Sequence, residues 1–400
     1  MKTGTDQLHA RSPLGARLVE ELRGRSFGLL AHPASVTRDF SHVAEVLHQL
    51  GLRPRVVFGP EHGYGGEAQD MIGVEDSRDA YGVPIRSLYG ERFEDLSPRA
   101  EDLRGLDLVL VDLADVGSRY YTFVWTAVLV ARACAAAGVR VIVLDRPNPL
   151  GGEVLEGRLV EPDFRSFVGL EPLPVRHGLT PGEVVAWRAE AEGLPAGAVS
   201  VVRCDGWDRA SLAPAWDRPF VMTSPNMPTF DTALVYPGGC LLEGTNLSDG
   251  RGTTRPFEIT GAPWLDGRAL AERLAATGLG GFVARPVTFL PTFHKHAKQT
   301  CGGVMIHVTD PRAFAPYATY LALVAIAHHL HPRDFAFRTE RYEFVDPIPA
   351  FDLLTGSAEA RERILAGDDP AAIARSRAEV GEAERRVHAA ARAAAEKMVF

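Results

Sequence analysis

Cysteine is scarce in this chain of 400 residues: Cys134, Cys204, Cys240 and Cys301 lie far apart, with no CxxC pair. That spacing argues against a zinc site built on thiolates and leaves reduced, mostly buried thiols as the expectation. No apolar run approaches the ~18 residues that a membrane-spanning helix needs. The opening MKTGTDQLHARSPLG has no apolar h-region, so no secretory leader is visible. A cytoplasmic protein is expected, or a secreted one whose leader has been removed. An excess of basic charge is also missing: 43 Lys and Arg stand against 51 Asp and Glu, a net charge of −8. Nucleic acid is therefore not an expected partner. There is no GxxxxGK(S/T) phosphate loop, and Gly63-Tyr64-Gly65-Gly66 matches a dinucleotide fingerprint only loosely. The sequence shows neither internal repeats nor a low-complexity linker.

The remaining composition is that of a soluble globular protein, 46% hydrophobic and 24% charged, long enough for two or three domains with ample core. The first ~150 residues alternate strand and helix patterns, which predicts an α/β fold with a parallel sheet covered by helices. Strands are read at 27–31, 56–58, 85–89, 106–113 and 139–144. Helices are read at 41–50, with Val43, Val46, Leu47 and Leu50 on one face, and at 120–137, closed by Gly138. Thr180, Pro181 and Glu183 start a helix at 181–192, and 199–203 is strand-like. Residues 214–263 are rich in Pro, Gly, Thr and Asn, and their aromatic content favours an ordered, functional loop region. A second, α+β unit follows from about 264, with a helix near 266–276, strands near 281–289 and 303–309, a helix at 314–330 and a tail helix from Pro370.

Ligands of open α/β sheets bind beyond the carboxyl ends of the strands. Three consecutive strand ends here carry polar groups. The first is Gly59-Pro60-Glu61-His62-Gly63-Tyr64-Gly65-Gly66-Glu67. Glu61 suits a general acid, because apolar surroundings keep a carboxyl protonated for that task; a carboxylate capping a turn fits the local sequence equally well. The second runs from Asp112 through Asp115 and Arg119 to Thr122. Arg119 could clamp a substrate carboxylate in a two-pronged way, and Tyr120 and Tyr121 could hydrogen-bond or stack on a sugar ring. Asp115 suits a helix cap better than catalysis. The third is Asp145-Arg146-Pro147-Asn148-Pro149, which a solvated turn would also explain. Further along, Ser224 to Pro228, Leu242 to Asn246 and Asp249 to Phe257 look like rigid ligand-binding loops, with Asn226, Glu243, Asn246, Arg251 and Arg255 as the groups to watch. His294-Lys295-His296 and His328-His329 lack Cys or Asp partners, so no metal site is expected. His177, just before a helix, is a better site candidate.

Together these segments resemble the exo-β-N-acetylmuramidase family of NamZ type. The matching pieces are PEHGYGG (60–66), SLYG (87–90), DLADVGSRYYT (112–122), LDRPNPLGG (144–152), FVGLEPLPVRHGLTPGE (167–183), SPNMP (224–228), LLEGTNLSDGRGTTRPFE (241–258) and GAPW (261–264). They run in family order from about residue 26 to 310, with a weaker match through 354–357. The resemblance implies an N-terminal segment (1–24), a Rossmann-like catalytic domain with inserted loops (25–260), a smaller α+β C-terminal domain (261–400) and an active cleft between the two domains. It implies hydrolysis releasing terminal N-acetylmuramic acid from the non-reducing end of peptidoglycan fragments, muropeptides or MurNAc-GlcNAc saccharides, with no nicotinamide or other cofactor. By the same match Glu61 is the catalytic carboxylate, with His62 beside it.

Glycoside cleavage usually needs a second carboxylate. Asp112, Asp115 and Glu243 are the candidates, or the 2-acetamido group of the substrate acts instead. The lactyl carboxylate of muramic acid needs a cation, Arg119 or Arg251, with Arg146 behind them. Tyr120, Tyr121, Asn148, His177, Asn226 and Asn246 complete the expected substrate contacts. A nucleotide-dependent Rossmann enzyme and a non-catalytic muropeptide-binding protein are the competing readings. Without a leader, the expected substrates are imported disaccharides inside the cell.

Overall fold

The computed structural model describes residues 1–10, 12–69, 72–73 and 77–400. Seven strands form the larger sheet: β1 (Phe27–Ala31), β2 (Val56–Gly59), β3 (Ser77–Arg78), β4 (Pro84–Ser87), β5 (Leu108–Asp112), β6 (Arg140–Leu144) and β7 (Val199–Val202). Their order is β3-β4-β2-β1-β5-β6-β7, and every pairing is parallel except that of β3 with β4. The chain builds outward from β1 to β2 and β4, then crosses to the other side of β1 to add β5. The strand order therefore reverses beside β1, the switch point at which open sheets leave a crevice.

Alternate residues of each strand face opposite layers. Leu29, Val57, Leu110 and Ile142 join Leu18, Leu22, Val43 and Leu47 of helices Pro13–Leu22 and Val43–Gln49 in one core. Leu30, Phe58, Val109 and Val143 join Val124, Val128 and Val184 of helices Phe123–Ala136 and Pro181–Ala191 in the other. Both faces are covered, which is why the central strands read as unbroken apolar runs.

The second sheet is small and antiparallel, in the order β8 (Ile259–Ala262), β10 (Cys301–Val308), β9 (Phe282–Phe289). Helix Gly267–Ala275 packs on it, and helix Pro316–Leu330 packs on that helix. The expected domain limit at 260 falls inside β8. The tail does not stay with this unit either: helix Glu382–Lys397 packs on helix Pro181–Ala191, and the amide of Val201 in β7 donates to Met398 O at 2.8 Å. Residues 398–400 thereby cover an edge that would otherwise offer unpaired backbone groups.

The region 214–263 is more regular than its composition suggests. It contains helix Phe230–Gly239 and a 3-10 turn, Cys240–Gly244. Pro237, Gly238 and Gly239 disfavour a helix locally, but tertiary packing overrides them. A Cβ on Gly238 would lie 2.1 Å from the carbonyl oxygen of Pro316, so only glycine lets these two helices approach so closely. Among the described residues no helix is long and apolar enough to cross a membrane.

Candidate active site

Beyond the end of β2 the chain turns back on itself at once. The amide of Gly63 donates to Pro60 O at 2.9 Å, and a Cβ on Gly59 would lie 2.5 Å from the amide of Tyr64. His62 is held at φ 68°, a left-handed conformation that is strained for a residue with a side chain and is found most often at functional positions. Its Nδ1 donates to Ala68 O at 2.9 Å, which fixes the ring. Glu61 and His62 are both buried, His62 against the Phe123 ring, and line one open cavity.

The loop after β5 supplies the neighbouring wall. The expected helix from 120 begins only at Phe123, because Ser118 to Tyr121 close a turn through Tyr121 N to Ser118 O at 2.9 Å. Thr122 stands at the N-cap but makes no capping bond. Its hydroxyl donates instead to Glu61 Oε2 at 2.7 Å. Tyr120 and Tyr121 also line the cavity. The Tyr121 hydroxyl donates to Thr223 Oγ1 at 2.5 Å, whereas that of Tyr120 has no partner among the described residues.

Another part of the lining comes from the later segments. Glu243, on the 3-10 turn, accepts from Arg251 Nη2 at 2.8 Å and from the Tyr342 hydroxyl at 2.6 Å. Arg251 in turn donates to Asp249 Oδ2 at 3.0 Å and lies 4.9 Å over the Phe257 ring. Lys295 Nζ lies 3.5 Å from the same Asp249 carboxylate, whose acid is held well below the usual range: burial opposes ionisation, but Arg251, Lys295 and His294 outweigh it. Burial also lowers the Lys295 ammonium from its ordinary value. Asn226, whose amide donates to Gln69 Oε1 at 2.7 Å, completes this side.

Of the residues expected at the site, Glu61, His62, Tyr120, Tyr121, Asn226, Glu243 and Arg251 share this cavity. The others lie elsewhere. Asp112 is fully buried, where it takes both Nε and Nη2 of Arg146 and the hydroxyl of Thr5 at 2.5 Å. Arg119 is also fully buried. It donates to the carbonyls of Arg158 (2.8 Å), Leu173 (2.9 Å) and Leu354 (2.7 Å), an interior strut rather than a clamp facing substrate.

Asp115 accepts from Gly117 N at 2.7 Å, a turn-locking bond, and lies 3.3 Å from His177 Nε2. The amide of Leu179 donates to Nδ1 of His177, which puts the ring N–H on Nε2, close to that carboxylate but without hydrogen-bond geometry. Asn148 locks the turn after β6 through Leu150 N and Leu179 O. Asn246 pairs with Asp334 O and Ala336 N, away from the cavity.

Among the lining residues that sequence reasoning did not name as site candidates are Tyr236, Tyr342 and Glu343. Tyr236 lies in the helix hidden by Pro and Gly. Tyr342 and Glu343 sit in a turn with no glycine or asparagine to announce it.

Two family profiles cover most of the chain. One described as "Exo-beta-N-acetylmuramidase NamZ, N-terminal" matches residues 27–231, and its C-terminal counterpart matches 234–387. The "Peptidoglycan beta-N-acetylmuramidase NamZ" of Bacillus subtilis (strain 168) is 38% identical over 351 residues, 87% of this chain and 82% of that protein. Crystal structures of two DUF1343 family proteins from Bacteroides fragilis NCTC 9343 superpose with TM-scores of 0.83 and 0.71, at 27% and 25% identity. The first alignment covers 100% of this chain and 98% of its partner, the second 98% of each. The chain belongs to the exo-beta-N-acetylmuramidase NamZ family.

Proposed function

We propose that this protein is a glycoside hydrolase that removes terminal N-acetylmuramic acid from the non-reducing end of peptidoglycan fragments, with Glu61 as the general acid. The observation that carries the assignment of Glu61 is its place, oriented by Thr122, in a cavity that Glu243 and Arg251 also line. The family and the similarity to the Bacillus protein support the reaction class.

The chemistry follows from the donors. The Thr122 hydroxyl donates to Oε2 of Glu61 and orients the carboxyl, whose acid form carries the proton to be transferred. Passing that proton to the glycosidic oxygen releases the leaving sugar as an alcohol. Positive charge then develops at the anomeric carbon. Glu243, oriented by Arg251 and Tyr342, is the carboxylate best placed to offset it, while Asp112 and Asp115 are engaged outside the cavity. The 2-acetamido group of the sugar is the other electron source that the chemistry allows; by either route water then adds to the anomeric carbon, and the proton it loses restores the acid form of the enzyme.

Arg251 is the one of the three expected arginines on the cavity wall, and we assign it the lactyl carboxylate. The two carboxylates that Arg251 engages, Glu243 and Asp249, are matched by Arg251 itself and Lys295. A nucleotide fits less well: the crevice beside β1 holds the Asp112–Arg146 pair, with Thr5 of the N-terminal helix on top. Work on imported disaccharides inside the cell completes the reading; activity found only outside cells would refute that location.

The test is release of a chromophore from a β-N-acetylmuraminide, beside the N-acetylglucosaminide and a Glu61→Gln variant. Release from the muraminide alone, lost in the variant, is the expected result. A Glu61→Gln protein as active as the parent would remove Glu61 from the acid role. Muropeptide binding without turnover in the parent would favour the binding-protein reading.

A further inference from the structure

The segment Tyr342-Glu343-Phe344-Val345 closes on itself through two reciprocal backbone bonds, each 3.0 Å, between Tyr342 and Val345. Both central residues are left-handed, Glu343 at φ 45° and Phe344 at φ 70°. That is the signature of a type I′ turn, whose centre ordinarily holds Asn-Gly because side chains there meet the backbone. A glutamate and a phenylalanine in these places are strained, and such strain persists where the side chains are needed.

Glu343 lines the Glu61 cavity and also an adjoining recess of about 710 Å³, which Tyr89, Glu91, Arg341 and Phe344 line with it. Phe344 is half-buried. Its ring meets Tyr89 at 5.8 Å and Phe93 at 6.2 Å, both edge-on, and the buried Phe167 supports it from behind at 6.2 Å. Phe93 is 40% exposed. Rigid aromatic faces bordering a reaction cavity suit the apolar C–H face of a pyranose ring. The charged side chains of the recess are two glutamates and one arginine, which can bond hydroxyls and an acetamido group but do not favour an anion.

Building on the glycosidase reading above, we infer that this recess is the leaving-group subsite and that Phe344 stacks on the uncharged, N-acetylglucosamine-type sugar released by cleavage. A second muramic acid, with its carboxylate, is the wrong occupant. The strained turn holds the stacking ring and the rim of the catalytic cavity in one rigid element.

The experiment compares two substrates of the full chain: the MurNAc-GlcNAc disaccharide, and β-N-acetylmuraminyl fluoride, whose one-atom leaving group reaches no subsite. Phe344→Ala is expected to lower the ratio of kcat/KM for disaccharide over fluoride at least tenfold, chiefly through KM. Phe344→Tyr keeps a ring and should restore the ratio to within threefold. The double variant Glu343→Asn with Phe344→Gly installs the favoured turn sequence. It should melt no lower than the parent while its ratio falls as in Phe344→Ala. Equal losses on both substrates, no loss, or a ratio that falls only as the melting temperature falls would overturn the subsite. A parent protein that hydrolyses neither substrate would overturn the glycosidase reading itself, a failure visible before any variant is made.

Discussion

Thr122 donates its hydroxyl to Glu61 across 2.7 Å and leaves its own helix uncapped. An N-cap bond, in which the hydroxyl oxygen accepts from a backbone amide, stabilises a helix by about 1 kcal/mol; this side chain is oriented toward the site instead. Thr122→Val should lower kcat by roughly tenfold to a hundredfold, less than the ~10²–10⁴-fold that a positioned proton donor itself contributes, with KM little changed. Thr122→Ser should restore most of the rate, because it keeps the hydroxyl. Steady-state kinetics on a chromogenic muraminide distinguish this from a packing defect, which serine would not repair.

Arg251 carries a second prediction. Arg251→Met strands Glu243 and Asp249 in a buried setting, and breaking such a pair costs about 3–5 kcal/mol. Arg251→Lys keeps the charge but loses the planar fork. We expect the lysine variant to fold and to lose roughly tenfold in its preference for muraminide over glucosaminide. Urea titration and the ratio of kcat/KM values check the two halves. An unchanged preference would take the lactyl carboxylate away from Arg251.

The Asp112–Arg146 pair is predicted to be structural. Asp112→Asn should destabilise the fold by about 3 kcal/mol or more, by weakening a buried two-pronged pair. The variant that remains folded at low temperature should hydrolyse substrate within about threefold of the parent. A collapse of kcat at full stability would return Asp112 to the reaction.

Glu156 should impose a pH dependence on stability. It is buried, Oε1 accepts from Ala318 N at 2.8 Å, and burial pushes its acid from 4.5 up to about 7. The folded state thus holds a proton that the unfolded state releases. This contribution is fully present below about pH 4.5 and is lost as pH rises through about 7. Burial and the neighbouring Glu183 push Asp145 to about 7 as well, so the two acids act in the same window. Glu156→Gln should flatten the fall in stability between pH 5 and 8 by on the order of 1–3 kcal/mol. Melting curves across that range are the measurement.

The residues that could be read in advance were those whose surroundings are local. Val109 and Leu110, or Ile142 and Val143, mark central strands because neighbours on both faces demand apolar side chains. Glu61 could be read because a strand end followed by Pro, His and glycines fixes its exit from the sheet. Arg119 could not be. Its position in a polar loop beside two tyrosines looks like a clamp, and only the arrival of Leu354 O from 235 positions away reveals a strut. Glu343 was invisible for a related reason: its strained turn is imposed by packing around Tyr342 and Phe344, not by turn-forming residues. Asp112 and Glu243 look alike as sequence; the partners brought by the N-terminal helix and by Arg251 separate them.

The cavity takes its walls from residues as distant as Glu61 and Glu343. Closing loops of that length is entropically slow and is rewarded only once both sheets are in place. Catalytic competence should therefore be the last property regained on refolding, trailing helix and sheet signals. Neither half of the polypeptide expressed alone should carry a fraction of the activity, whereas the two halves mixed should recover it only in proportion to their association.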